Sequence, residues 1–139
     1  MKKKLNDMKT IILKKIKQKK GNIVKIIKKD DTFFYSFGEL YVSEIKPHQT
    51  KAWRYHKRST QNIFLLEGRC KIVCQLKKRF VETQLSENSP KLIIIPKKCW
   101  YGFKNKSRKK VKLLNLCDRK FSENEILRKE IKEIKYNWQ

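Results

Sequence analysis

The sequence predicts a single all-β domain built as a sandwich or barrel. Short segments with alternating or β-branched apolar residues recur about every eight to twelve residues, which is typical of these folds and not of a βαβ fold. At 139 residues the chain is long enough for one such core. We expect a basic arm or first hairpin strand over 1–21, the barrel over 22–118 and a separate C-terminal element over 119–139.

The clearest strand signal is Glu39 to Ile45, where polar and apolar side chains alternate as in a half-buried strand. A turn through Lys46-Pro47-His48-Gln49 follows it. The same reasoning predicts six further strands: Asn62 to Leu66, Cys70 to Leu76, Phe80 to Gln84, Leu92 to Ile95, Trp100 to Lys104 and Val111 to Leu116.

The N-terminal segment allows two interpretations. Thr10 to Ile16 and Asn22 to Ile27 flank Lys19-Lys20-Gly21, which predicts a hairpin around a glycine turn. The spacing of Met8, Ile12 and Ile16 also fits a basic amphipathic helix able to lie on a membrane. We favour the hairpin.

The C-terminal segment predicts a short helix. Ser122-Glu123-Asn124-Glu125 has the pattern of a capping box, with Ser122 as the N-cap and Glu125 reaching back to it. The helix would run to about Glu133 and dock one apolar stripe on the barrel. We expect the aromatic residues Tyr136 and Trp138 to cover the open end of the barrel.

The chain carries a formal net charge of +24, with lysine providing 30 of its 37 basic residues. Such a charge ordinarily suggests a nucleic acid or an anionic membrane as the partner. The lysine-rich and alanine-poor composition is also that of an AT-rich coding sequence, so the charge alone identifies no partner. It would attract a diphosphate group as readily as a nucleic acid.

The four cysteines have no Cys-x-x-Cys spacing, so we expect small buried thiols and not a zinc or redox site. The longest apolar run is Leu92 to Ile95, far shorter than the roughly 20 residues of a membrane span. With neither a secretory signal nor a span, we expect a cytoplasmic protein with reduced thiols.

Two stretches have the spacing of a paired metal-binding motif. The first contains Arg54, His56, Gln61 and Gly68, and the second contains Pro96, Lys98, Tyr101 and Asn105. These stretches resemble the two motifs of the cupin superfamily, and the resemblance implies a β-jelly roll. Of the four positions that would ligate a metal, only His56 retains a ligand, so we predict a metal-free cupin.

A narrower resemblance extends over nearly the whole chain from about Thr10. It rests on four stretches: Phe37 to Tyr41, Lys51 to Lys57 with Thr60 and Asn62, Ile95 to Asn105, and Tyr136 to Trp138. Together they resemble the short branch of the dTDP-4-dehydrorhamnose 3,5-epimerase family. The resemblance implies a cofactor-free, metal-independent homodimer that acts on a 4-keto sugar attached to a nucleoside diphosphate. The pathway would be the biosynthesis of nucleotide sugars and surface polysaccharides.

In that family a histidine removes the proton that the 4-keto group acidifies, and His56 matches its position. Gln61 replaces the family's lysine, so Arg54 or Lys57 would have to stabilise the enolate. No tyrosine lies between Leu113 and Leu116, where the full-length enzymes carry their proton donor, which leaves Tyr101 as the candidate. Asn137 replaces the acidic residue of similar short proteins, which would leave His56 a weaker base.

Other residues are candidate substrate contacts. Arg54 and Lys57 could bind phosphate, because guanidinium and ammonium groups pair with phosphate oxygens. Aromatic side chains at the barrel mouth can stack on a nucleotide base or simply fill space. The full set of substrate-binding candidates is Trp53, Arg54, Lys57, Gln61, Asn62, Trp100 and Asn115.

Three functions remain open from the sequence. The first is a sugar-nucleotide epimerase or isomerase with His56 as base. The second is a cupin that has lost catalysis and binds a sugar nucleotide or a partner protein, with His56 a structural or ligand-contacting residue. The third, nucleic-acid binding, rests on charge alone and has no recognition motif behind it.

Overall fold

The computed structural model describes residues 2–139, and nearly all of its regular structure is β-strand. The strands are β1 (Lys9–Ile12), β2 (Lys15–Ile16), β3 (Ile23–Val24), β4 (Glu39–Ile45), β5 (Thr50–His56), β6 (Gln61–Glu67), β7 (Arg69–Leu76), β8 (Arg79–Ser86), β9 (Lys91–Ile95), β10 (Trp100–Asn105), β11 (Val111–Cys117) and β12 (Ile126–Arg128). The all-β prediction is confirmed.

Ten of the strands form two five-stranded antiparallel sheets. One sheet has the order β1-β9-β6-β11-β4 and the other has the order β12-β5-β10-β7-β8. Neighbours within a sheet are mostly distant in sequence, as in a jelly roll. The two inner faces enclose an aliphatic core that includes Ile63, Ile72, Ile93 and Leu113, all almost completely buried. Full burial of each such side chain contributes about 1.5–3 kcal/mol to folding.

Strand β5 was not predicted from its side-chain pattern, because the pattern breaks inside the strand. The pairing of β5 with β10 shifts register where Tyr101 lies opposite Arg54 and Gly102 lies opposite Ala52. A β-bulge places an extra residue in one strand and changes which side chains point inward. Lys51 and Arg54 therefore both line the interior although they are three residues apart.

The predicted N-terminal hairpin is confirmed, and the amphipathic-helix alternative is wrong. Strands β2 and β3 pair in register Lys15 with Val24 and Ile16 with Ile23. The turn between them contains Gly21 at φ +141°, a conformation that residues with a Cβ rarely adopt. The preceding strand β1 pairs with β9, so part of the N-terminal arm belongs to the main sheet.

The predicted C-terminal helix is wrong. Residues Glu123–Glu125 and Ile131–Glu133 form single 3₁₀ turns, and β12 between them pairs with β5. Ser122 makes no side-chain cap, because the Glu125 N–H is bonded to the Ser122 carbonyl at 3.0 Å, and the Glu125 carboxylate is bonded to His56 instead of reaching back. Tertiary pairing along β5 therefore outweighs the local helix signal.

The aromatic tail packs on the outside of the second sheet and does not cover the barrel's open end. Trp53 is 1 % exposed and lies 5.0 Å from Trp138 between ring centroids. Its indole Nε1 donates a hydrogen bond to the carbonyl of Ile131 at 3.2 Å. Tyr136 packs edge-on to the same indole, and its hydroxyl bonds Glu82. The tail thus holds β5 from its outer side.

The four cysteines are buried free thiols, as predicted. Within residues 2–139, no helix is long and apolar enough to cross a membrane.

Candidate functional site

The candidate site lies on the inner face of β5. Arg54 and His56 are two residues apart, so both side chains point into the space between the sheets. Trp53 and Tyr55 point to the outer face, where the aromatic tail and Trp100 pack against them. The candidate catalytic side chains of β5 therefore lie on its inner face, and the side chains that pack against the aromatic tail and Trp100 lie on its outer face.

His56 is held at both ring nitrogens. Its Nδ1 lies 2.9 Å from the Glu125 carboxylate, and its Nε2 lies 2.9 Å from the Tyr101 hydroxyl. With Nδ1–H donating to Glu125, Nε2 is the free base and accepts from Tyr101. Burial lowers the pKa of His56 below its usual value, and Glu125 partly opposes this effect. The imidazole is therefore neutral and basic at neutral pH.

Glu125 is the acidic partner of His56, although its local sequence predicts a helix cap. Its other carboxylate oxygen accepts backbone N–H groups from Ser59 at 2.7 Å and Arg58 at 3.2 Å. These bonds fix the carboxylate beside the imidazole. The expected loss of an acidic partner through Asn137 is therefore corrected, because Glu125 supplies one from a different part of the tail.

Tyr101 is the second hydrogen-bond partner of His56. A proton donor must lie this close to the base, so the position of Tyr101 is compatible with that predicted role. Its side chain is 3 % exposed, and burial raises its pKa well above the usual value, so it stays protonated. The two rings are nearly parallel at 5.7 Å between centroids. Tyr101 can therefore donate a proton within reach of the base.

Gln61 belongs to a neighbouring buried network. Its side-chain amide donates to the Ser59 hydroxyl at 2.9 Å, and its carbonyl accepts from the Cys117 thiol at 2.9 Å. Ser59 follows β5 and Cys117 ends β11, so the network ties the two sheets together at the His56 end. Gln61 therefore stabilises the structure around His56, and within residues 2–139 it makes no hydrogen bond to His56 itself.

Two adjoining cavities open between the sheets. One, of about 250 Å³, is lined by His56 and Glu125. The other, of about 400 Å³, is lined by Tyr101, Phe103 and Asn115. Their shared wall consists of Tyr41, Arg54 and Arg128.

Positive charge dominates the larger cavity. Its cationic lining residues are Lys51, Arg54, Arg128 and Lys129, and no Asp or Glu is among the described lining residues. Burial and the neighbouring Arg54 lower the pKa of Lys51 below its usual value. Like charges this close repel unless an anion joins them, so the cavity is suited to a phosphate or diphosphate.

Tyr41 was missed as a site residue by the sequence analysis. It lies on β4, faces both cavities, and has a pKa raised to about 12 by burial. Its inward position follows from the alternation of β4, in which Tyr41, Ser43 and Ile45 share one face. That alternation could have identified it.

The structure separates the predicted site residues into two groups. Arg54, His56, Tyr101 and Asn115 line the cavities, and Asn115 accepts a hydrogen bond from Ser43 at 3.2 Å. Trp53 also borders the larger cavity, but its ring packs against the aromatic tail on the outer face of the sheet. The predicted contacts that lie elsewhere are Lys57, on the exposed surface; Asn62, under the N-terminal arm; and Trp100, on the outer face of the sheet. The side chains of these three residues therefore do not reach a substrate beside His56.

Metal binding finds little support in the donor set. Among residues 2–139, no three His, Cys, Asp or Glu side chains cluster in a way that could hold an ion. His56 already uses both nitrogens and lies beside the cationic Arg54. These residues do not fit a metal.

A family profile described as FdtA: WxcM-like, C-terminal, matches residues 6–137. The chain belongs to this FdtA family. The match spans every residue of the candidate site, from Tyr41 on β4 to Arg128 on β12. A comparison with curated protein sequences found no significant match.

Solved structures similar to this FdtA-family chain include sugar-nucleotide enzymes of two kinds. A dTDP sugar isomerase from Desulfovibrio desulfuricans G20 is 26% identical, with a TM-score of 0.86, over 94% of this chain and 90% of that one. A mutant of the 3,4-ketoisomerase QdtA from Thermoanaerobacterium thermosaccharolyticum, in complex with TDP-4-keto-6-deoxyglucose, is 22% identical, with a TM-score of 0.75, over 90% of this chain and 89% of that one. A dTDP-4-dehydrorhamnose 3,5-epimerase from Elizabethkingia anophelis NUHP1 is 15% identical, with a TM-score of 0.82, over 100% and 85%.

Glu125 should set the pH dependence of the site. In Glu125→Gln the contacts that raise the pKa of His56 are lost, so the acid limb of the pH–rate profile moves to lower pH. The rate constant should also fall about 10- to 100-fold, because a charge-assisted hydrogen bond to the imidazole is lost. Steady-state pH profiles of both proteins test this. An unshifted limb, or one moved to higher pH, contradicts it; Glu125→Asp should recover part of the rate.

Proposed function

We propose that the protein is a sugar-nucleotide 3,4-ketoisomerase acting on a dTDP-linked 4-keto-6-deoxy sugar. The observation that carries the proposal is the buried Glu125–His56–Tyr101 arrangement beside a cationic cavity. FdtA-family membership supports it, as do the similar structures of a dTDP sugar isomerase and of a ketoisomerase with its keto sugar. An enzyme, and specifically an isomerase, fits this arrangement better than a binding-only cupin.

The chemistry begins with proton removal beside a carbonyl group. The 4-keto group acidifies the C3–H bond, and His56 Nε2 takes that proton while Glu125 stabilises the resulting imidazolium. The electrons of the C–H bond form an enediolate, whose negative charge Arg54 can stabilise. Return of the proton to C4 and transfer of a proton from O3 to O4 leave a carbonyl at C3 and a hydroxyl at C4. No oxidant or reductant is needed.

The protons on the two sugar oxygens require a donor and an acceptor. Tyr101 contacts His56 Nε2, and Tyr41 lies in the wall shared by both cavities. Because both phenols are held protonated by burial, either can donate a proton to O4 and regain one from the O3 hydroxyl.

Ketoisomerisation is favoured over epimerisation by the placement of acid and base. Moving a carbonyl returns the proton to the adjacent carbon, which one base on one face of the sugar can accomplish. Epimerisation returns the proton to the opposite face and needs a second group there. The full-length epimerases that this chain resembles carry a tyrosine on the strand that corresponds to β11. Here Leu113 to Leu116 contain no tyrosine, so that second group is missing.

The two cavities suggest how the substrate lies. The smaller cavity beside His56 suits the hexose, and the larger, cationic one suits the nucleoside diphosphate, with Phe103 and Asn115 beside the nucleoside. Arg54 and Arg128 lie in the wall between them, where the diphosphate would join the two parts. In this orientation Arg54 contacts both the diphosphate and the reacting end of the sugar.

The decisive experiment follows the substrate by NMR in D₂O. With dTDP-4-keto-6-deoxyglucose, we expect a 3-keto product, which carries deuterium at C4 where the proton on His56 exchanges with solvent before its return. Deuterium at C3 or C5 with the carbonyl kept at C4 would instead identify an epimerase. Binding of dTDP without exchange at any carbon would favour a non-catalytic cupin and overturn the proposal.

Metal independence and a cytoplasmic location are parts of the same proposal. The donor set around His56 suits proton transfer and not metal ligation, so activity should survive dialysis against a chelator. The four free thiols suit a reducing compartment.

We also propose a homodimer, formed through the outer face of β4, β11 and β6. Leu40 and Val42 are each 53% exposed, and Leu66 is 40% exposed on the same face. The cross-strand partners Leu114 and Leu116 extend this apolar surface. Exposed apolar patches of this kind mark protein interfaces, and a stable dimer buries about 800 Å² per partner.

Leu40→Glu/Val42→Glu should therefore be monomeric, because two carboxylates in a buried interface are strongly unfavourable. Light scattering after size exclusion measures the mass of this variant and of the wild type. Leu127→Glu, at a similarly exposed leucine on another surface, serves as the control and should remain dimeric. A monomeric wild type, or a dimeric double variant, contradicts the assignment.

A further inference from the structure

The N-terminal arm, defined here as residues 9–29, has no part in the proposed site. It contains nine lysines and eight aliphatic residues, and it has no Asp, Glu, Arg or aromatic residue. Lysine is frequent throughout this chain, so the charge alone is not distinctive. The combination of lysines with exposed aliphatic side chains distinguishes the arm from the rest of the chain.

The arm carries those aliphatic side chains on its surface. Ile12 is 80% exposed, Ile23 is 41% exposed and Ile11 is 37% exposed. Strands β2 and β3 form a separate two-stranded sheet, hydrogen-bonded to neither five-stranded sheet. Lys19 and Lys20 lie at its turn and are exposed to solvent. The arm therefore presents its tip and its isoleucines to solvent together.

An apolar groove continues this surface toward the barrel. A cavity of about 490 Å³ lies between the arm and β9, with Ile16, Ile26 and Leu92 among its lining residues. Lysines 14, 25 and 28 line the same cavity, together with one acidic residue, Asp31. An apolar floor with a net cationic lining is complementary to the surface of an anionic bilayer.

We propose that the arm docks on an anionic lipid bilayer. Exposed aliphatic side chains would enter the headgroup region, and the lysines would contact lipid phosphates around them. Nucleic acid is disfavoured because the arm offers neither aromatic side chains for stacking nor arginines for base edges. A second copy of the arm is disfavoured because two acid-free lysine surfaces repel each other.

The test measures binding to vesicles of equal parts phosphatidylglycerol and phosphatidylcholine, with pure phosphatidylcholine vesicles as reference. The wild type should float with the anionic vesicles only, and less so at high salt. Lys19→Glu/Lys20→Glu should weaken binding at least about 20-fold, since each lysine near such a surface contributes roughly fivefold. Ile12→Ser/Ile23→Ser should weaken it by a similar factor through loss of apolar insertion.

A matched control is available outside the arm. Lys77 and Lys78 form the exposed turn between β7 and β8, so Lys77→Glu/Lys78→Glu makes the same change in net charge. This variant should bind vesicles nearly as the wild type does. Equal loss in both charge variants would assign the binding to net charge alone and overturn the proposal.

Three other results would also overturn it: no binding to the anionic vesicles, full binding by the Ile12→Ser/Ile23→Ser variant, or arm-dependent binding of duplex DNA without vesicle binding. Catalytic activity in vesicle-free buffer should be unchanged in all arm variants. The proposed isomerase function and the proposed membrane contact can therefore fail independently.

Discussion

His56→Asn should lower the turnover number by about 10³- to 10⁴-fold, near the upper range for loss of a general base. Asparagine can still accept a hydrogen bond from Tyr101, but it cannot take a proton from carbon at neutral pH. Since His56 is 6 % exposed and enclosed by Glu125 and Tyr101, solvent is poorly placed to replace it. The rate of deuterium exchange into the keto sugar measures the effect directly.

The same experiment separates catalysis from binding. The affinity for dTDP should change little in His56→Asn, because the diphosphate contacts are assigned to the arginines of the shared wall. Tyr101→Phe, which removes one hydroxyl beside the same nitrogen, should cost less than His56→Asn. Exchange at the wild-type rate in His56→Asn would refute His56 as the base.

Arg54→Ala should weaken dTDP binding by about 10- to 100-fold, as expected when a hydrogen bond between charged groups is lost. Arg54 lies in the wall between the two cavities, where the proposed substrate orientation places the diphosphate. Its cross-strand neighbours are Tyr101 on β10 and Arg128 on β12. Turnover should fall as well, since the same guanidinium faces the developing enediolate.

Calorimetric titration with dTDP tests the binding part of this prediction. Arg54→Lys should recover part of the affinity, because it restores the charge without the paired donors of a guanidinium. Arg108→Ala, at an exposed turn outside both cavities, removes the same charge and should bind dTDP normally. Equal losses in Arg54→Ala and Arg108→Ala would show that overall charge, not a diphosphate contact, governs binding.

Much of the fold could be predicted from the spacing of apolar residues. Strand β4 runs from Glu39 to Ile45, as the alternation predicts, and the N-terminal hairpin forms around Gly21. Both are local patterns, in which neighbouring side chains alone determine the backbone. The same logic failed at the C-terminus, where a local helix signal met a strand partner distant in sequence.

Part of the site was also accessible to sequence reasoning. Motif spacing and resemblance identified His56, Arg54 and Tyr101, and all three line the cavities. Trp53 and Trp100, proposed from the same stretches, lie on the opposite face. A bulge and an aromatic tail decide which way these side chains point, and neither can be seen in a motif.

Local sequence patterns by themselves determined strand β4 and the hairpin turn, because both depend on residues close together in the chain, and the motif resemblance implied the jelly roll. Only the tertiary structure decided that Glu125 supports the base. His56 and Glu125 are 69 residues apart, and their contact exists because β12 pairs with β5. A side-chain oxygen that could cap a helix is instead bonded to the imidazole, since folding brings a stronger partner within 2.9 Å.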